Sequence, residues 1–179
     1  MRGLPLAALF VLAACGPETT SFRTVDASDP DRPSAALLAV GDAARVAVWS
    51  NGGYFGSTGE PMTHVGFEIR NASSAPIVFD GDALRLVVTG AYGVPLPPAR
   101  FSAVTPLGPA QVSIAPGVTK TLEAYFVLPV RPRMIDAMRV RWSLRIGDTG
   151  HDAVSSFTRD DAYPVLAPPP AARQGPPST

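Results

Sequence analysis

The chain has one cysteine, two histidines and a single lysine in 179 residues. One thiol excludes an intrachain disulfide and any thiolate metal cluster. Charge is scarce as well. Fifteen Lys+Arg balance fifteen Asp+Glu, and charged residues make up 17% of the chain, against roughly 25% in an average soluble protein. Zero net charge argues against a broad electrostatic grip on nucleic acid. No apolar run reaches the ~20 residues of a membrane-spanning helix. Outside the first sixteen residues no segment sustains a helical period, and Gly 16 with Pro 20 speaks against a helix bundle. There is no Gly-x-Ser-x-Gly elbow, no phosphate-binding glycine loop and no His-Glu-x-x-His. The expectation is therefore a protein that is not an enzyme and carries no cofactor. A hydrolase with an unrecognised site is the remotest alternative.

What the chain does contain begins at its start. Met1-Arg2 places a positive charge ahead of an apolar run from Leu4 to Ala14, which has the length of a signal-peptide core. Leu12-Ala13-Ala14-Cys15 then resembles the lipobox of bacterial lipoproteins: a branched apolar residue, two small residues and the thiol that takes up diacylglycerol. The resemblance implies cleavage after residue 14, lipidation at Cys15, and a mature chain of 165 residues (179 minus 14) held in the membrane lipid by acyl chains. Gly16 stands where many inner-membrane lipoproteins carry Asp, which favours the outer membrane in a double-membraned host. Four segments are expected: a signal peptide at 1–14, a lipidated flexible tether at 15–34, a domain at 35–161 and a Pro-rich disordered tail at 162–179.

In the domain the apolar pattern has a period of two. Val65, Phe67 and Ile69 alternate with His64, Gly66, Glu68 and Arg70; Leu84, Leu86 and Val88 with Arg85, Val87 and Thr89. Leu122, Ala124, Phe126 and Leu128 oppose Thr121, Glu123, Tyr125 and Val127, and Met138, Val140, Trp142, Leu144 and Ile146 oppose Arg139, Arg141, Ser143 and Arg145. One face of each suits a core, the other water or a partner. With Gly-, Pro- and Asn-rich turns between them, this predicts an all-β, antiparallel, immunoglobulin-like β-sandwich of seven to nine strands. Val65–Asn71 followed by Ala75-Pro76-Ile77, and Ile114-Ala-Pro-Gly running through Phe126 to Pro129, resemble the telokin-like immunoglobulin-fold domains of bacterial lipoproteins. The resemblance spans roughly Arg45 to Ile146. It implies a fold and no catalytic residues, since most members of that family have no known function.

Four features carry candidate chemistry. Met62 and His64 lie two residues apart on one face of a strand start, and soft Met/His ligands select Cu(I). With His151 they form the candidate set of a copper carrier. The plainer account is an exposed histidine and a packed methionine. Trp49, Tyr54 and Phe55 sit in the Gly-rich stretch Trp49–Gly59, a candidate ligand loop whose flat rings suit sugars or peptides. The plainer account is a flexible hairpin with Trp49 and Phe55 tucked onto the sandwich edge, and it is the favoured one. Arg139, Arg141 and Arg145 form an outward stripe suited to an anion or acidic partner, such as lipid phosphate or cell-wall polymer. Pairing across strands with Glu68 or Glu123 is the plainer expectation. Asp80 and Asp82 flank a turn and are read as turn acceptors, not as a calcium loop. Together these features suggest a lipid-anchored module that binds or assembles with an envelope protein or cell-wall polymer, with no nucleic-acid partner.

Overall fold

The alternating segments become the strands of two antiparallel sheets. The structure is a computed structural model and describes residues 19–26, 28–29, 32–105 and 111–160. The expected signal peptide, Cys15 and the Pro-rich tail lie outside these residues. The strands are β1 (Phe22–Thr24), β2 (Ser28–Asp29), β3 (Arg32–Val40), β4 (Ala44–Phe55), β5 (Pro61–Asn71), β6 (Ile77–Asp80), β7 (Arg85–Thr89), β8 (Arg100–Thr105), β9 (Gln111–Ile114), β10 (Thr119–Val127), β11 (Ala137–Ile146) and β12 (Thr149–Arg159). The first sheet runs β2-β3-β4-β5-β10-β8. The second runs β1-β12-β11-β6-β9, with β7 also paired to β11. The result is the expected all-β sandwich, with twelve strands among the described residues where seven to nine were expected. Two of the additions, β1 and β2, come from the N-terminal segment.

The core is made by the residues that the alternation assigns to it. Phe67 on β5 packs at 5.0 Å, ring centre to ring centre, from Phe79 and edge-on at 6.1 Å from Trp142. Val46, Val48, Val65, Ile69, Leu86, Val88, Leu122, Phe126, Met138, Val140 and Leu144 complete the layer. Trp142 brings one polar atom inside. Its Nε1–H donates to Ser155 Oγ at 3.1 Å, which removes the cost of burying it unpaired.

The expected tether is shorter than its composition suggests. Thr20 exchanges two backbone hydrogen bonds with Gly53, at 2.9 and 2.8 Å, and β1 then adds to the edge of the second sheet through Phe22↔Arg159 and Thr24↔Phe157. Phe22 is buried in the core. Few apolar residues are needed to dock an edge strand, because its backbone supplies most of the attachment. The sandwich therefore begins some fifteen residues ahead of position 35.

Candidate functional site

The expected ligand loop at Trp49–Gly59 is mostly strand, and it holds a bulge. Pairing of β4 with β5 runs regularly to Ser50↔Val65, shifts, and resumes at Gly52↔His64. The extra residue is accommodated because Gly52 adopts φ +90°, a region that side chains resist. Two buried hydroxyls lock it. Ser50 Oγ donates to the His64 carbonyl at 2.9 Å and accepts from the Gly52 N–H at 3.1 Å, while Thr63 Oγ1 donates to the Gly52 carbonyl at 2.9 Å.

A one-residue bulge reverses which side chains point outward. Trp49 pairs with Gly66 before it, and Tyr54 pairs with Met62 after it, so Trp49 and Tyr54 share the outer face of the first sheet. Without the bulge Phe55 would have joined Trp49. Instead, Phe55 pairs with Pro61 on the other side of the strand. The expected trio of aromatics is thus divided.

Trp49 lies against Gly66. A methyl group there would run into the indole ring, so the bare backbone of Gly66 is what lets the ring lie down. Gly66→Ala should cost about 1–2 kcal/mol by overpacking. The loss should shrink when Trp49→Ala is added, as urea titrations in a double-mutant cycle would reveal. Full additivity would mean that the ring does not rest there.

Beside Trp49 the outer face gathers Tyr54, Met62, His64, Glu123 and Tyr125. Register brings His64 opposite both Gly52 on β4 and Tyr125 on β10. The His64 and Tyr125 rings are 5.1 Å apart. Tyr125 Oη donates to Glu123 Oε2 at 3.0 Å, and Glu123 Oε1 stands 4.0 Å from His64 Nε2, too far for a hydrogen bond. His64 was expected to be exposed. It is 3% exposed, because the large residues around it cover an imidazole on an outward position. No protein atom is placed to hydrogen-bond either ring nitrogen.

The electrostatics follow from that burial. Loss of water pushes the His64 pKa down, only partly opposed by Glu123. Burial, then Tyr125, then Glu123 push the Tyr54 phenol up. Both groups are therefore held neutral at pH 7. The arrangement is an aromatic platform with a neutral imidazole beneath it and one carboxylate at its side. Such a surface suits stacking and hydrogen bonding more than acid–base catalysis.

The copper set is not brought together. Met62 and His64 do share a face, as expected. His151, however, pairs with Leu144 in the second sheet and lines a cleft with Leu38, Val40 and Trp142. Among the described residues no group of three or more His, Cys, Asp or Glu side chains could hold a metal ion. Titration of the purified protein with Cu(I) is expected to give no submicromolar site. A tight site that disappears in His64→Ala would reverse that expectation.

The arginine stripe also differs from its plainer account. Arg139, Arg141 and Arg145 are exposed on β11, but Glu68 and Glu123 lie in the other sheet, so the expected cross-strand pairs do not form. Asp80 behaves as a turn acceptor, taking the Asp82 N–H at 3.0 Å. Sequence alone named Glu123 only as a partner for the arginines and did not single out Tyr125. Their outward position on β10 was legible, but their meeting with His64 depends on register.

No family profile and no curated protein matches the sequence. Solved structures do. The chain is similar to a FixG-related protein from Vibrio parahaemolyticus, with 12% identity and a TM-score of 0.43 over 66% of this chain and 97% of that one. It is similar to a protein from Archaeoglobus fulgidus, with 14% identity and a TM-score of 0.40 over 80% and 96%. It is also similar to the GAE domain of GGA2p from Saccharomyces cerevisiae, with 11% identity and a TM-score of 0.35 over 70% and 96%. Likenesses at this level assign no activity, ligand or partner to the chain.

Proposed function

We propose that the protein is a bacterial lipoprotein of the cell envelope, anchored through acylated Cys15. Its telokin-like, immunoglobulin-like sandwich would serve as a non-enzymatic binding or assembly module, and the outer membrane is the proposed site. The observation that carries the reading is the spacing between the lipobox and the fold. Thr20 is already tied to Gly53 five residues after Cys15. A diacylated cysteine would hold firmly where one chain would not, and so short a link would keep the sandwich close to the headgroups.

The anchor is tested by labelling cells with radioactive palmitate. The wild-type protein should incorporate label, and Cys15→Ala should lose it and keep its unprocessed size. Label retained in Cys15→Ala, or a wild-type protein that never takes it up, would end the lipoprotein reading. The binding role is tested at the outer face of the first sheet. A photocrosslinking residue placed at Tyr54 should capture an envelope protein or wall fragment in intact cells. The same residue at Tyr92, which is fully exposed elsewhere, should not. Equal capture, or none, at both positions would leave a passive surface protein.

A further inference from the structure

The outer face of the second sheet collects arginines from three strands. β11 carries Arg139, Arg141 and Arg145 outward. Register sets Arg85 of β7 directly opposite Arg141, and Arg23 of β1 faces the same way at the sheet edge, since its neighbours Phe22 and Thr24 point inward. Like charges directly opposite one another on a sheet are destabilising. Asp152 shares this face, opposite Ser143 and between Arg141 and Arg145, but among the described residues it is not paired with any of the β11 arginines. Among the described residues neither Arg139, Arg141 nor Arg145 forms an ion pair. Arg85 turns its Nη1 to the carbonyls of Asp82 and Leu84, both at 2.7 Å. Of the other carboxylates nearby, Asp80 caps a turn and Asp26 accepts the Ser156 N–H at 2.8 Å. Arg23 is paired with Asp160 at 3.8 Å. Between the guanidinium groups sit two exposed valines: Val87 opposite Arg139 and Val154 opposite Arg141, 38% and 44% exposed.

We infer that this face docks on an anionic phospholipid surface. Guanidinium groups match lipid phosphate geometrically as well as electrically. Valines interleaved with them suit the boundary between headgroup and acyl chain, where an aqueous acidic partner would gain little from them. The length of chain outside the structure agrees. Thr19, the first described residue, is four positions beyond Cys15, a reach of about 14 Å at most; the chain then passes from Gly53 of the first sheet to the edge of this one at β1, which keeps the anchor near that edge. The inference draws its membrane from the lipoprotein reading, but the face can be tested without the anchor.

The chain from Gly16 onward, which contains every described residue and no lipid, is sedimented with phosphatidylcholine vesicles and with phosphatidylcholine–phosphatidylglycerol vesicles. Binding is expected only to the anionic vesicles, and it should weaken with added salt. The double substitution Arg139→Ser/Arg141→Ser should lower the partition coefficient on the order of twenty-fivefold, from about fivefold per basic residue at such a surface. The control is Arg45→Ser/Arg70→Ser, which removes an equal charge from residues opposite one another in the first sheet, and it should bind as the parent does. Melting of both doubles, recorded alongside, should be no lower than the parent's, since each relieves a like-charged neighbour. Equal losses in the two doubles would reduce the effect to bulk charge and overturn the proposal. So would binding to neither vesicle, or displacement by inorganic phosphate at matched phosphorus. Palmitate labelling at Cys15 reports on the anchor separately, so either reading can fail while the other stands.

Discussion

Asn71→Ala is expected to destabilise the sandwich by about 2–4 kcal/mol, although the residue carries no charge and touches no candidate site. Asn71 is fully buried at the end of β5. Its Nδ2 donates to the carbonyls of Ala75 at 2.8 Å and Ile114 at 2.9 Å, and its Oδ1 accepts from the Ser73 N–H at 2.9 Å and the Ser73 hydroxyl at 2.7 Å. Its backbone adds bonds to Val118 and Gly117. One side chain thus ties the β5–β6 turn to the end of β9, bridging both sheets. Alanine removes four hydrogen bonds at once. Ser73 Oγ, already 2.8 Å from the Ala75 carbonyl, can still serve that oxygen, but the Ile114 carbonyl loses the side-chain donor that ties it to β5. Loss of this link between the sheets, with the buried volume the amide vacates, is the dominant cost.

Asn71→Asp should be at least as damaging. It keeps the acceptor and loses both donors, setting a carboxylate against two carbonyl oxygens. Urea titration should show the loss as a lower midpoint with an unchanged slope. A change below about 1 kcal/mol in the alanine variant would mean that the turn closes without the amide. The residue was visible in the sequence only as the start of a turn. Its role as a rivet came from the partner 43 residues away, which no local pattern encodes.

That contrast holds across the molecule. Where a strand buries one face, alternation named the core residue by residue, as for β5, β7, β10 and β11, because a slip of one position would expose the whole set. Three things escaped it. The segment around Thr20–Thr24 looks like a tether because edge strands can be held mainly by backbone bonds. The bulge at Ser50–Gly52 could be suspected from the glycines, but its position decides whether Tyr54 or Phe55 faces outward, and only pairing fixes that position. Alternation also tells which residues point out, but not from which sheet. Arg139 and Arg141 were read as neighbours of Glu68 and Glu123, although the two sets face opposite directions. His64 was correctly placed on an outward position. Its burial involves Tyr125 on β10, which a reading of its own strand does not include.

The two outer faces are therefore chemically distinct, although net charge is zero over the whole chain. One carries the three arginines of β11 that form no ion pair among the described residues, the other an aromatic platform over a neutral histidine. If the first lies on lipid, the second points away from it, toward whatever the module meets. Balanced composition conceals this division, because the unpaired arginines of β11 and the aromatic cluster around His64 lie on different sheets.

His64→Leu is expected to stabilise the protein by about 1–2 kcal/mol at pH 7.5, an unusual direction for a substitution at a buried site. Leucine has a similar volume and gives up no hydrogen bond to a protein atom, since neither ring nitrogen has one. The advantage should widen in acid. Burial lowers the pKa of His64 in the folded state, so below the ordinary value of about 6.5 the unfolded chain binds a proton that the folded chain does not. Stability is then fully present above that value and lost as pH falls toward the lowered one. The slope is at most about 1.4 kcal/mol per pH unit. The titratable groups beside the ring are Glu123 and Tyr125 on β10, with Tyr54 on the same face of β4. Of these, Glu123 works against the shift and keeps the slope below its limit. Urea midpoints between pH 7.5 and 5.5 should fall more steeply for the wild type than for His64→Leu. If the variant is destabilised and the slopes agree, His64 is an ordinary packed residue and the site loses its distinguishing feature. If the variant is more stable but no longer gives the crosslink at Tyr54, the imidazole is kept at a cost to folding because the outer face needs it for binding.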